Sequence, residues 1–353
     1  MPYSLNIFKN NVEKYIQENI PTDFKILDVG PGSGTYSDLL KPHGYLLDCV
    51  EIWEPYVNQF NLKEKYQNVF IDDICSFDFS EYDYLILGDI FEHLNYEQAS
   101  NLLNNINEKN IKCIISVPYN YEQGEYEGNV YETHLQPDLT HEIMKTKYPS
   151  LHLLYGDETY GYYLNYETLT TIANENICDK GTVYYEAHSY TTTYEKYISS
   201  NKKIKMLEIG VWKGDSIRMW NKYNENINLY AVDINPGVID HFTGTENVSL
   251  HIGNQSDLIL IDDIFKSVET FDVVIDDGSH NYHDIFASYL AIFPKLKNGS
   301  IYFIEDLHAP HAEKERVLQS IRNKIYSNPD QFGVSQFSLF NNEKLLMMIK
   351  DSY

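Results

Sequence analysis

The chain has 353 residues, enough for about two domains at roughly 100–200 residues each. Hydrophobic residues make up 43% and charged residues 22%, a balance that supports packed cores. Acidic residues outnumber basic ones 52 to 27, a net charge of −25, which excludes nucleic acid as the natural partner and disfavours anionic membranes.

Residues 1–20 carry no charged segment followed by an apolar block, so no secretory signal is expected. No window reaches the ~18 apolar residues of a membrane span. A soluble, cytoplasmic protein is therefore expected. Cys49, Cys75, Cys113 and Cys178 form no C-x-x-C pair, which argues against a structural zinc site.

From there the chain reads as short apolar runs separated by helix-compatible stretches. The first half gives FKILDVGPGSG (24–34), YLLDCVEI (45–52), NVFIDDI (68–74), YDYLILGDI (82–90) and IKCIISVPY (111–119). A helix is expected over 95–108. LHLLYGDE (151–158) and YGYYLNY (160–166) then form a hairpin. The second half repeats the order: KIKMLEIGVWKG (203–214), INLYAVDI (227–234), VSLHIGN (248–254), FDVVIDDG (271–278), GSIYFIEDL (299–307), then FGVSQFSLF (332–340) and EKLLMMIK (343–350). A helix is expected over 282–296. Near-continuous apolar runs suit strands covered on both faces. The pattern predicts an α/β protein of two doubly wound, Rossmann-like domains. Each is a seven-stranded, mostly parallel sheet ending in an antiparallel hairpin. The interruption at TIANENICDKGT places the domains at 1–175 and 176–353. The first half is the more acidic, at −18 against −7, and holds no arginine, a mild argument against a polyanionic substrate there.

Each half opens with a strand, a glycine turn and a helix, the arrangement that lets a ligand approach backbone N–H groups. Gly30, Gly32 and Gly34 pair with Glu51 at the next strand end, as Gly210 and Gly214 pair with Asp233. Such an acidic residue can take both hydroxyls of a ribose. Asp28 and Glu208 stand two positions before the loops and suit a cationic ligand. A third strand end supplies Asp72 and Asp73, or Asn254 and Gln255, at the edge where an adenine would lie.

On these segments both halves resemble class I S-adenosylmethionine-dependent methyltransferases. In the first half LDVGPGSG, VEIWEP, IDDICSFDF and LGDIFEHL carry the resemblance. It implies that Asp28, Gly30 and Gly32 face the methionine end, Glu51 the ribose, and Asp73 and Ile74 the adenine, with Asp89 after the fourth strand. The second half carries CDKGTVYYEAHSYTTTYEKYI, LEIGVWKGDSIRMW, VDINP, IDDGSHNYHD and YFIEDLH. It is similar to metal-dependent macrolide sugar O-methyltransferases of the mycinamicin and tylosin type. That implies cofactor contacts from Glu208, Gly210, Asp233, Asn254 and Gln255.

DDGSHNYH (276–283) and EDLHAPH (305–311) follow the fourth and fifth strands of the second half. Neighbouring strands bring Asp277, Glu305 and Asp306 together, and three carboxylates need a cation among them. Oxygen donors favour Mg²⁺. The resemblance makes His280 the general base for an acceptor hydroxyl, beside Asp277. Asp276 is expected to cap the following turn. His283, His308 and His311 read as surface or supporting residues. With His280 they could instead form a nitrogen-rich iron or zinc site.

The first half has VPYN where the second has its carboxylate pair, so it is expected to be metal-independent. Residues 119–140 are too long for a simple connection and read as an acceptor-binding lid, with His134 as its best base candidate. His93 in the EHL segment reads mainly as structural. The expected activity is bifunctional: methyl transfer to sugar hydroxyls of a surface glycan, nucleotide sugar or glycosylated natural product. The partners are a small-molecule or glycan acceptor, and the resemblance admits a homo-oligomer. One alternative leaves the first half as a glycan- or cofactor-binding module. A nicotinamide-dependent oxidoreductase is a weaker alternative, because neither loop has G-x-G-x-x-G spacing.

Overall fold

The structure, a computed structural model, describes residues 5–184, 187–242 and 247–351. The lead-in segment 178–198 therefore contains two positions, 185 and 186, that lie outside the described residues. The chain forms two compact units that divide between Glu167 and Thr168, eight residues before the expected boundary. The helix Leu169–Glu175 explains the difference. Thr168 and Thr171 form a capping box at its start. Its buried Leu169, Ile172 and Ala173 join a cluster with Tyr190, Tyr194, Ile198, Met219 and Trp220 of the second unit. A polar-looking stretch thus belongs to the second core.

The first unit contains β1 (Ile26–Val29), β2 (Leu47–Glu51), β3 (Val69–Ile71), β4 (Tyr84–Gly88), β5 (Lys112–Pro118), β6 (His152–Gly156) and β7 (Tyr160–Leu164), ordered 3-2-1-4-5-7-6. The second contains β8 (Ile204–Ile209), β9 (Ile227–Asp233), β10 (Val248–Ile252), β11 (Val273–Asp276), β12 (Ile301–Ile304), β13 (Val334–Phe340) and β14 (Leu345–Lys350), ordered 10-9-8-11-12-14-13. The two orders are the same when counted within each unit. The first five strands of each sheet pair in parallel, and the last two add antiparallel. This is the predicted architecture.

Parallel strands require helices on both faces, and the burial follows. Every residue of β1, β4 and β11 is buried. The expected helix over 95–108 runs Tyr96–Glu108 behind an Asn95/Gln98 capping box. That over 282–296 runs Tyr282–Ile292 and tightens to a 3₁₀ turn at Phe293–Lys295. Strand order reverses at β1/β4 and at β8/β11, so each unit opens a crevice at the carboxyl ends of its central strands. Among the described residues no helix is long and apolar enough to cross a membrane.

Candidate active site

In the second unit the chain leaves β8 through a tight turn. Gly210 N donates to Val232 O at 2.7 Å, and Gly214 N to Val211 O at 2.6 Å. Gly210 has φ +81°, and a Cβ there would lie 2.0 Å from the carbonyl oxygen of Asp277. Only glycine lets β8 and the Asp277 loop approach so closely. At the end of β9 the Asp233 carboxylate accepts from Val211 N (3.0 Å), Trp212 N (3.1 Å) and Asn235 N (2.8 Å). It is thereby fixed at the mouth of the crevice.

A cleft of about 770 Å³ runs from Gly210, Trp212 and Asp233 to Asp277, His280 and Asp306. That is within the range of ligand-sized pockets, about 300–1,000 Å³. A side pocket of about 120 Å³ is lined by Asp233, Ile234, Asn254, Gln255 and Ser279. Gln255 is nearly buried. Its amide nitrogen donates to Asp276 at 2.9 Å and its oxygen accepts from Ser279 N at 2.7 Å. Asn254 Oδ1 accepts from Ser256 N and Oγ at 2.8 and 2.7 Å. Gly210, Asp233, Asn254 and Gln255 thus line the crevice. Glu208 does not: it is fully buried behind the loop, 3.8 Å from Lys180 Nζ.

Asp277 and Asp306 meet at the other end of the cleft. His280 Nε2 is 3.9 Å from Asp277 Oδ1 and 3.6 Å from Asp306 Oδ2. Donor atoms of Asp277, His280 and Asp306 lie within 4.8 Å of one another. The expected third carboxylate, Glu305, is placed differently. Successive residues leaving β12 alternate in direction. Glu305 is therefore buried, where its oxygens accept from Lys180 Nζ at 2.9 and 2.8 Å and from Tyr194 at 2.5 Å. Lys180 also pairs with Asp277. This buried ammonium neutralises Glu305 and pairs with one oxygen of Asp277, while Asp277 Oδ1 and Asp306 lie towards His280. The Lys180 pKa stays well above the usual lysine range because Asp277, Glu305 and Glu208 outweigh the effect of burial. Glu208, lifted by burial, sits at about 7. Asp306 differs: burial alone would raise it, but the Tyr190 hydroxyl (2.6 Å) and the imidazoles of His188 and His280 hold it below the usual range.

Asp276 accepts from the Gly278 backbone in the following turn, as expected, but does more than cap it. It lies buried under the site, accepting from Gln255, Ser288 and Tyr302. Burial lifts its pKa to about 6. His283 rests on the Tyr282 ring, and His311 offers its backbone carbonyl to Tyr282 N. A second donor group, His188, Asp306 and His308, shares only Asp306 with the first. Lys180, His188, Tyr190 and Tyr194 were given no role from the sequence. Their segment has no strand or long-helix pattern, and the only signal was its resemblance to the lead-in of the sugar O-methyltransferases.

The first unit repeats the turn: Gly30 N donates to Val50 O at 2.8 Å and Gly34 N to Pro31 O at 2.7 Å. Its pocket, about 140 Å³, is lined by Gly30, Gly32, Glu51, Asp73, Ile74 and Asp89, as expected, and also by His93, Asn129, Tyr131 and Glu132. Asp28 again lies behind the loop, accepting from Tyr66 at 2.5 Å, with its pKa lifted by burial to about 7. Glu51 Oε1 accepts from Trp53 N at 2.8 Å, and burial lifts this group to about 7 as well. Asp89, at φ +57°, accepts from Ser116 and Tyr160.

The segment 119–140 folds onto the EHL turn. Leu135 N and Gln136 N both donate to Glu92 O, at 2.7 and 3.0 Å, and Gln136 Nε2 donates to Phe91 O at 2.9 Å. This buries His134 against His93, with ring centroids 4.7 Å apart. Burial lowers both imidazoles, and His93 falls to about 4 with His134 adding to the effect.

Residues 207–307 match the family described as a methyltransferase domain. The chain is 32% identical over 130 residues to mycinamicin VI 2''-O-methyltransferase of Micromonospora griseorubida, covering 34% of this chain and 32% of that protein. Demethylmacrocin O-methyltransferase of Streptomyces fradiae is 30% identical over 129 residues, with the same coverages. A rhamnosyl tetracenomycin-C 2'-O-methyltransferase of Streptomyces olivaceus is 31% identical over 134 residues, covering 35% and 34%. The chain thus spans about a third of the length of these relatives. Among solved structures, the MycE methyltransferase of the mycinamycin pathway, in complex with Mg and SAH, aligns at 20% identity and a TM-score of 0.46, over 68% of this chain and 71% of that one.

Proposed function

We propose that the chain transfers methyl groups from S-adenosylmethionine to hydroxyl groups. The second unit would act on a sugar hydroxyl of a glycosylated small molecule or glycan, and the first unit would bind the same cofactor and methylate a second position. The observation that carries this reading is one cleft that joins Gly210 and Asp233 to Asp277, His280 and Asp306. The names of the three similar relatives, all O-methyltransferases and one named for a rhamnosyl substrate, support the acceptor class.

Asp233, held by three backbone N–H groups, would take the ribose hydroxyls. Asn254 and Gln255 would flank the adenine, and the Gly210 turn would admit the methionine end. Glu208 and Asp28, both buried, would support the loops from behind. Methyl transfer is an in-line displacement at the sulfonium methyl, so the acceptor oxygen must be aligned and lose its proton. His280 is placed for that proton, with Nε2 3.9 Å from Asp277 Oδ1 and 3.6 Å from Asp306 Oδ2. Asp277 and Asp306 fit a hard divalent ion such as Mg²⁺, which when bound lowers the pKa of a sugar hydroxyl. Glu305 serves that site through Lys180, which its two oxygens hold in place.

The test is incubation of the full chain with cofactor and a panel of sugar acceptors, with methyl groups counted by mass spectrometry. Two methyl additions are expected, one of which falls by roughly 10²–10⁴-fold in His280→Ala. Absence of any methylated sugar overturns the proposal. A single addition, lost entirely in His280→Ala, assigns all transfer to the second unit. The smaller pocket of the first unit would then be a binding module.

A further inference from the structure

The EHL turn of the first unit holds a group of donors that methyl transfer does not account for. One donor atom from each of Glu92, His93 and His134 lies within 4.8 Å of the other two. Glu92 is 1% exposed, and neither of its carboxylate oxygens has a hydrogen-bond partner. A buried carboxylate left this way costs several kcal/mol unless it is protonated or a cation meets it. The two imidazoles are already set by their outer contacts. His93 Nδ1 is 3.3 Å from Thr133 O and His134 Nδ1 is 2.7 Å from Tyr121 O. A carbonyl oxygen only accepts, so each Nδ1 carries the proton and each Nε2 keeps its lone pair. Metal-binding histidines are oriented by backbone carbonyls in this way.

We propose that Glu92, His93 and His134 form a transition-metal site in the first unit. The ion would be bound by the Glu92 carboxylate and the Nε2 atoms of both histidines. Two imidazoles and one carboxylate suit Zn²⁺ or a neighbouring divalent transition ion better than Mg²⁺. Three protein ligands leave a position open. His93 also lines the first unit's pocket together with Asp89 and Glu51. Zn²⁺ ligands at about 2.0–2.1 Å require the donors to draw closer than 4.8 Å on binding. This departs from the expectation of a metal-independent first half. The sequence reading sought a carboxylate pair after the fifth strand, whereas the third ligand arrives from the long loop at His134, pinned by two hydrogen bonds to Glu92 O. Activation of an acceptor hydroxyl by this ion rests on the methyltransferase reading above; the binding site does not.

The test uses the full chain carrying Asp306→Asn, which removes a ligand from both donor groups of the second unit. The protein is stripped with chelator and titrated with Co²⁺ and Zn²⁺ in the absence of cofactor. One ion per chain is expected, with a four- or five-coordinate Co²⁺ absorption spectrum. Adding His93→Ala or His134→Ala should weaken binding by at least roughly 100-fold, with the metal-free melting temperature recorded as a control for folding. X-ray absorption of the Zn²⁺-loaded chain reads the site without those changes, and two imidazole ligands are expected. Absence of a bound ion, unchanged affinity in both histidine variants, or a spectrum without imidazole scattering overturns the proposal. Cofactor binding is measured separately, so failure of the methyltransferase reading leaves this result standing.

Discussion

Two glycines in equivalent places face different neighbours, and the difference is measurable. A Cβ on Gly210 would meet the Asp277 backbone carbonyl at 2.0 Å, whereas one on Gly30 would meet the Ile90 side-chain tip at 2.3 Å. A side-chain tip can turn aside; a backbone carbonyl between two paired strands cannot. Gly210→Ala is therefore expected to abolish cofactor binding by the second unit and to cost more than about 2 kcal/mol in a left-handed position. Gly30→Ala should be the milder change. Calorimetric cofactor titration and thermal unfolding compare the two, and equal effects would contradict this account. The sequence identified both glycines. Which one carries a backbone contact depends on the loop that follows β11, more than sixty residues away.

At the scale of elements, two irregular segments complete the sites. The lead-in to the second unit brings Lys180, Tyr190 and Tyr194 under the Asp277–Glu305 carboxylates. In the first unit, the helix Lys9–Asn19 brings a buried Lys9, whose Nζ donates to Tyr36 at 2.9 Å. Each unit thus sends a lysine from its N-terminal approach towards the acidic end of its sheet. Lys180→Met would leave Glu208, Asp277 and Glu305 without their shared cation. The expected loss is about 3–5 kcal/mol of second-unit stability, read by chemical denaturation. A loss below about 1 kcal/mol would mean that the carboxylates are protonated or otherwise neutralised. Neither segment has a hydrophobic period that announces its destination, so neither role was legible from spacing.

For the whole molecule, the −25 charge is distributed between a solvated surface and a set of buried carboxylates. Burial lifts Asp28, Glu51 and Glu208 to about 7 and Asp276 to about 6. In the folded chain these groups keep protons that the unfolded chain releases above the usual carboxylate range. For these four groups the unfolded state binds fewer protons, so their contribution to stability falls as pH rises from about 4.5 towards 7, partly offset by the lowered imidazoles of His93 and His134. Surface repulsion at −25 acts in the same direction. The cofactor-free protein is expected to melt at a higher temperature at pH 5.5 than at pH 7.5 by differential scanning calorimetry. An equal or higher melting temperature at pH 7.5 would show that these carboxylates are ionised in the folded state.

The sequence by itself determined the two runs of seven strands and the turns that open each crevice. Those features are local, because a strand buried on both faces must be apolar and a glycine turn must follow it. It also located Gly210, Asp233, Asp277 and His280, which sit on or beside strand ends. Tertiary structure alone decided the unit boundary at Glu167/Thr168, the burial of Glu305 against Lys180, and the meeting of His134 with Glu92 and His93. Each of those depends on a loop or approach segment whose position is fixed by packing and by hydrogen bonds to distant backbone. Nothing in the period of such a segment records where it will come to rest.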